Sequence, residues 1–476
     1  MNTIFRTSDI SRTFGKSVVI LSAVLLSGIA LTANAQSFIS GPDQLVNRLC
    51  TDQCEQRGET LAVDAAGNTM AIWSEPYGAT SAIVTARFDG ATGKWDGSRL
   101  LAVEDGASPQ IGFDASGNAL AIWNTFRDGY WLLRYSRYIA AQGGWTRPTD
   151  GLTLPVYGYA ERLVVGKNGD AFVLNRGRNG DGSLARFDAA TGTWQLFDNV
   201  QGERIAVDGT GNAILLSINR QQFSGSVSLS ARRFTASSRQ WSGSTLLDAH
   251  TQTFDLMGNS NGEGLMTAPA ISLDPYGNVM FMWTKVVKAD NGTATRTIKS
   301  ARYITSRGIW VSKTVLKLNN SGAIDALLSA DRSANVTAVW NQYVGPYAKT
   351  VAARYSSNTG AWSAPVVIQS GSAHTREPNI GTDPQGNVTV SWSQRADTGT
   401  QSSSSAVYRA TVARFSPATG TWGIPKTIQD AYRSGYRTFM GVDGKGRAVV
   451  MWTQQSGRFA NGVGIKEIRS DRVLPY

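Results

Sequence analysis

The chain has 476 residues, 46 lysines and arginines against 35 aspartates and glutamates, a net charge of +11, two histidines, two cysteines and 50 glycines. Two histidines are too few for a histidine-rich metal centre. No Walker or dinucleotide-binding glycine loop is present, so no nucleotide cofactor is expected. The basic balance favours acidic partners, but no specific nucleic acid recognition is expected.

Residues 1–35 are predicted to form a secretory signal peptide. Arg6, Arg12 and Lys16 precede an apolar run from Ser17 to Leu31, and Ala33-Asn34-Ala35 supplies a small-x-small site before Gln36. The run is about 15 residues long, shorter than the roughly 20 that span a bilayer, so no transmembrane anchor is expected after processing. Loss of this segment removes three basic residues and Asp9, which leaves a mature chain of net charge +9, expected to be periplasmic or extracellular. Cys50 and Cys54 precede the repeats. They lack partner ligands for zinc and are read as a possible small disulfide loop in an oxidising compartment.

From there to the C-terminus one cassette recurs eight times at intervals of 42 to 66 residues: an apolar triplet, Asp-x-x-Gly-Asn, and an apolar run ending in Trp. Its aspartates are Asp64, Asp114, Asp208, Asp274, Asp331, Asp383 and Asp443, with Gly166 in the remaining slot. IGFDASGNALAIW at 111–123 is a typical copy. Apolar residues on both sides of an Asp/Gly/Asn cluster spell a tight β-hairpin, because Gly and Asn tolerate positive φ and the Asp carboxylate accepts turn amides. The second strand is apolar on both faces, which implies burial between two neighbours.

A second half-repeat, such as VTARFDGATGKW at 84–95, carries a recurrent Arg and closes on another Trp. It reads as a second hairpin. Two hairpins make a four-stranded antiparallel blade, and self-similarity at this period signals a propeller. The fold is therefore predicted to be all-β, one propeller domain over residues 36–476 with eight blades, or seven if a degenerate third or fourth unit fails to form its own. The last unit lacks a fourth strand, and GPDQLVN at 41–47 resembles the fourth strands of other units, so an N-terminal strand is expected to close the ring.

The strings AVDAAGN at 62–68 and AVDGTGN at 206–212 resemble those of secreted bacterial β-propellers with NHL-like or Asp-box-like repeats. The likeness is one of repeat style. Sialidase Asp boxes place Gly two residues after Asp, whereas here it falls three after, and no arginine triad with a Tyr/Glu pair is assignable, so sialidase activity does not transfer.

Residues present in every blade are expected to build blades, not to catalyse. The repeated Asp and Arg should pair, Asp64 with Arg87 and Asp383 with Arg414 or Arg354. One carboxylate per turn falls short of the oxygens calcium wants, so no metal is expected. Strand order gathers the irregular loops on the opposite face, where function is expected. Candidate ligand-binding residues there are Phe126, Tyr130, Trp131, Tyr343, Tyr347, Tyr432, Arg433, Tyr436 and Arg437, aromatics to stack on sugar rings and arginines to bind acidic groups. The leading expectation is a non-catalytic binding or scaffold propeller contacting an acidic polysaccharide or a protein. The alternative is a polysaccharide hydrolase or lyase at the channel mouth, drawing on His374 or a loop carboxylate among Glu75, Asp128, Asp255, Glu263 and Glu377. His250 is the other histidine.

Overall fold

The computed structural model describes residues 39–40, 44–46, 57–153, 159–176, 182–197, 200–220, 226–251, 269–288, 294–319, 323–344, 347–369, 373–396, 407–429, 435–460 and 463–474, all within the unit Gln36–Tyr476. The expected signal peptide, Cys50 and Cys54 lie outside these residues.

The protein is an eight-bladed β-propeller. Eight antiparallel sheets follow one another along the chain, blade one being Arg57–Val63, Thr69–Tyr77, Thr80–Asp89 and Lys94–Val103. Blades two to seven begin at Gly106, Tyr159, Arg204, Ala270, Ala323 and Thr375. In blade eight the strands Gly435–Val442, Ala448–Ala460 and Val463–Leu474 are completed by Ile39–Ser40 and Gln44–Leu45, both paired with the last strand. Units three and four each form their own sheet, which settles the count at eight.

The cassette makes its turn as its chemistry requires. In blade one Asp64 Oδ1 accepts the amides of Ala66 and Asn68, each at 2.9 Å, while Asn68 Nδ2 donates to Asp64 Oδ2 at 2.8 Å. Asn68 Oδ1 then accepts the amide of Gly90 at 3.2 Å, which ties the first hairpin to the turn of the second. Blade three keeps this tie by moving the acid. With Gly166 in the usual slot, Asp170 stands four residues on and accepts Ala189 N at 2.9 Å and Arg186 at 2.8 Å.

The same turns join neighbouring blades. A Cβ at Gly67 would lie 2.6 Å from Asp443 Oδ2 of blade eight, and one at Gly386 2.9 Å from Asp331 Oδ2 of blade six. These glycines are required twice over, for close approach and for φ of +89° and +87°. Ala334 occupies the equivalent slot at φ 60°. A left-handed conformation costs an L-residue about 1–2 kcal/mol, partly offset in glycine by greater chain entropy, so Ala334→Gly is expected to raise stability by about 0.5–1 kcal/mol. Urea denaturation of the two proteins checks this.

Between blades the core is aromatic. Trp73, Trp123, Trp283, Trp340, Trp392 and Trp452 are among the largest fully buried side chains, and each packs against the preceding blade. Trp123, for example, lies against Met70, Ile72 and Ile83 of blade one, and Trp73 against Val449, Met451 and Ile468 of blade eight.

The Asp–Arg pairing is present in blades five, six and seven, as Asp274–Arg302 at 2.8 Å, Asp331–Arg354 at 2.6 Å and Asp383–Arg414 at 3.0 Å. In blade one the expectation fails. Arg87 donates to Asn68 Oδ1 at 3.1 Å and lies 3.6 Å from Asp89, a carboxylate two residues along its own strand that competes for the guanidinium.

Candidate functional site

The Asp turns and the second-hairpin turns share one end of every blade. The other end carries the connections between second and third strands and those between blades. First strands of successive blades adjoin around the axis: Thr60 Oγ1 donates to Pro109 O at 3.4 Å, Gln110 Oε1 accepts Leu163 N at 2.6 Å, and Asn379 Nδ2 donates to Thr438 O at 2.6 Å. A residue at the variable end of a first strand therefore stands at the channel mouth.

His374 holds such a position, immediately before the first strand of blade seven, Thr375–Thr382. Its Nδ1 accepts the amide of Ala348 from blade six at 3.1 Å. That bond needs a lone pair on Nδ1 and so places the ring proton on Nε2. Two tyrosines flank the ring edge-on, Tyr347 at 5.7 Å and Tyr343 at 6.5 Å between centroids. The histidine's own carbonyl accepts Arg395 N at 2.8 Å, and Thr375 Oγ1 donates to Ala348 O at 3.2 Å, so backbone from both blades clamps the segment.

Two cations stand close by along the same strands. Lys349 Nζ lies 5.1 Å over the Tyr347 ring and is 8% exposed, and burial pushes its ammonium below the usual lysine range. Arg376 is exposed and stacks 4.5 Å over the ring of buried Tyr408. Glu377, next along, takes Arg437 of blade eight at 3.4 Å and has φ of +49° before Pro378, a conformation disfavoured both for a non-glycine residue and before proline. The variable end of blades six and seven thus carries a proton-bearing imidazole flanked by two phenols, with a desolvated amine over Tyr347 and an exposed guanidinium over Tyr408.

The other sequence candidates are dispersed. Phe126 and Tyr130 are about half exposed at 53% and 56%, whereas Trp131, 5.4 Å from Phe126, packs on the apolar cluster between blades two and three. Asp128 and Gly129, with φ of 54° and 84°, form a tight hairpin turn. Tyr343 and Tyr347 join the His374 group, whereas Arg437 pairs with Glu377. Tyr432, Arg433, Asp255 and Glu263 lie outside the described residues, as do the side chains of Tyr436 and His250. Sequence reasoning missed Lys349, Arg376 and Tyr408. Their shared signal is that each is a cation or aromatic at the variable end of a strand, where sister blades vary.

No family model and no curated protein matches the chain by sequence. Similar solved structures include a PL25 ulvan lyase bound to -[GlcA(1-4)Rha3S]-, at 10% identity and TM-score 0.49, covering 89% of this chain and 95% of that one. The polysaccharide lyase Uly1 is similar at 9% identity and TM-score 0.44, over 92% and 94% of the two chains. A protein of unknown function from Dyadobacter fermentans is similar at 9% identity and TM-score 0.41, over 92% and 99%. At these identities the likeness speaks to the fold. Polysaccharide lyases stand among the similar structures, and the expectation of a non-catalytic binding or scaffold propeller is corrected accordingly; the enzymatic alternative is carried forward. Among the described residues no helix is long and apolar enough to cross a membrane.

One loop carboxylate stands apart from the His374 group. Glu75, in blade one, is 4% exposed and accepts Trp73 Nε1 at 2.7 Å. Burial raises its carboxyl above the usual range, against the lowering effect of the Trp73 bond. The folded state thus binds the proton more tightly than the unfolded chain, and this favourable contribution is lost as pH rises through the raised value. Glu75→Gln keeps an acceptor for Trp73 and removes the buried charge. It is expected to stabilise the protein by about 1 kcal/mol at alkaline pH, with the gain shrinking toward zero below the ordinary glutamate range. Thermal melts across pH check the trend.

Proposed function

We propose that this protein is an exported polysaccharide lyase, with NHL-like repeats as its scaffold, that cleaves an acidic, uronate-containing glycan at the junction of blades six and seven. The observation that carries the reading is His374 held in one tautomer by Ala348 N and flanked by two tyrosines, with buried Lys349 over Tyr347 and exposed Arg376 two residues along the chain. Eliminative cleavage needs three things: a cation on the carboxylate, to acidify the proton α to it; a base for that proton; and an acid for the departing glycosidic oxygen.

On this reading Arg376 binds the uronate carboxylate as a bidentate donor. Lys349, its affinity for protons weakened by burial, takes the α-proton. His374 gives its Nε2 proton to the leaving oxygen, and Tyr343, 46% exposed, provides a face for a neighbouring sugar. The α-carbon–hydrogen and glycosidic carbon–oxygen bonds break, a carbon–carbon double bond forms beside the carboxylate, and no water is consumed. The processed chain, of net charge +9, attracts such a polyanion.

Incubation with ulvan, hyaluronan, alginate and polygalacturonate tests this. A lyase generates ultraviolet absorbance from the conjugated unsaturated uronate, in step with new reducing ends. Reducing ends without that absorbance would replace elimination by hydrolysis, and turnover of none of the four would remove the reading's support.

A further inference from the structure

The blade-closing tryptophans each need an acceptor for the indole N–H, and three blades meet the need with an amide. Trp340 donates to Gln342 at 3.1 Å, Trp392 to Gln394 at 3.1 Å and Trp452 to Gln454 at 2.9 Å. Blade one places Glu75 at the same spacing, two residues after Trp73. Blades two and five also use an acid, Glu104 for Trp123 and Asp248 for Trp283, but there Arg134, or Lys285 and Lys299, supply the counter-charge. A neutral glutamine would serve blade one without the cost of burying an unpaired charge, so Glu75 is not explained by blade construction.

Glu75 also differs from most of the other buried carboxylates. Asp170, Asp274, Asp331, Asp383 and Asp443 each hold an arginine. Among the described residues Glu75 has no cation within ion-pair distance, and its one hydrogen bond goes to Oε2, leaving Oε1 unbonded. It lines a cavity of about 470 Å³ between blades one and two, on the variable face. Ser74, Thr80, Ser81, Ser108 and Asp105 share the wall. Asp105 accepts only the Thr80 hydroxyl, at 2.8 Å, and among the described residues no basic side chain lines the cavity.

Two carboxylates without a counter-charge among the described residues, in a chain that is otherwise strongly basic, make a local cation-selective pocket. Its hydroxyl-rich wall suits a polyhydroxylated ligand, and its volume lies in the range of small-molecule sites, roughly 300–1,000 Å³. Among the described residues no group of three metal-ligating side chains is assembled here, which leaves calcium without the oxygens it wants. We propose that this cavity binds a small hydroxylated primary amine, an unacetylated amino sugar, with the ammonium on Glu75 and Asp105 and the hydroxyls on the serine and threonine wall.

Calorimetric titration with glucosamine, N-acetylglucosamine and glucose tests the assignment. Glucosamine is expected to bind, and the two uncharged sugars to bind about tenfold or more weakly, the loss of one charge-assisted hydrogen bond. Glu75→Gln and Asp105→Asn should each weaken glucosamine by about tenfold or more, while unfolding melts show both variants folded. Absence of glucosamine binding, equal affinity for glucose, or unchanged affinity in both variants would overturn the proposal. The readout is independent of polysaccharide cleavage, so it stands or falls separately from the lyase reading.

Discussion

Replacing His374 by alanine is expected to lower kcat/KM on the acidic polysaccharide by roughly 10²–10⁴-fold, the usual range for losing a positioned acid or base. The fold should tolerate the change, since it leaves one amide, Ala348 N, without its acceptor at a cost of about 1–3 kcal/mol. Arg376→Ala separates binding from chemistry. An arginine that holds the carboxylate in both ground and transition states affects KM foremost, whereas loss of a proton donor shows in kcat. Equal activity of His374→Ala and the parent would relocate the chemistry away from this junction. Retention of kcat in His374→Ala with a large rise in KM would reduce the histidine to a binding group.

The second large effect is structural. Asp383→Ala is expected to destabilise the protein by about 3–5 kcal/mol, because removing one partner of a buried ion pair strands the other. Asp383 is 2% exposed and accepts the amides of Gln385 and Asn387 at 3.0 and 2.9 Å, Asn387 Nδ2 at 2.8 Å and Arg414 at 3.0 Å. Arg414 in turn donates to Gly446 O of blade eight at 2.6 Å, so the loss reaches across a blade interface. Asp64→Ala, at the same repeat position, should cost only about 1–2 kcal/mol, because Arg87 is satisfied by Asn68 and Asp89. Urea denaturation of both variants gives the comparison, and equal losses would contradict the assigned difference.

The blades were legible because their instructions are local. Asp, Gly and Asn at fixed offsets form a turn whatever surrounds them, and Gln44 and Leu45 found the last strand of blade eight through resemblance to other fourth strands. The exceptions are local as well. Asp89 diverts Arg87, and nothing in the Asp64 cassette announces it; the competitor lies in the other half of the repeat. The His374 group was legible only in part. The histidine, Tyr343 and Tyr347 were visible as residues that break the repeat, but their meeting depends on the turn of blade six reaching over the start of blade seven, a relation between units. Lys349 and Arg376 were hidden among many repeated cations. Glu75 was visible as one of several loop acids, but its departure from Gln342, Gln394 and Gln454 emerges only when the tryptophan's acceptor is known.

The seam between the first and last blades has a consequence for the order in which the protein can form. Trp95 donates to Ser470 Oγ at 2.7 Å, and Arg447 and Arg472 both donate to the carbonyl of Gly90, partners 357 to 382 residues apart. Blades two to seven can assemble on their predecessors as the chain emerges, but blade one keeps an open flank until the C-terminal strands arrive. Contacts of such separation are slow to find, and an open flank is a site for mispairing. Completion of the ring is thus a late step that depends on the Val463–Leu474 strand of blade eight, and truncation within it should leave all eight cassettes intact in sequence yet prevent closure.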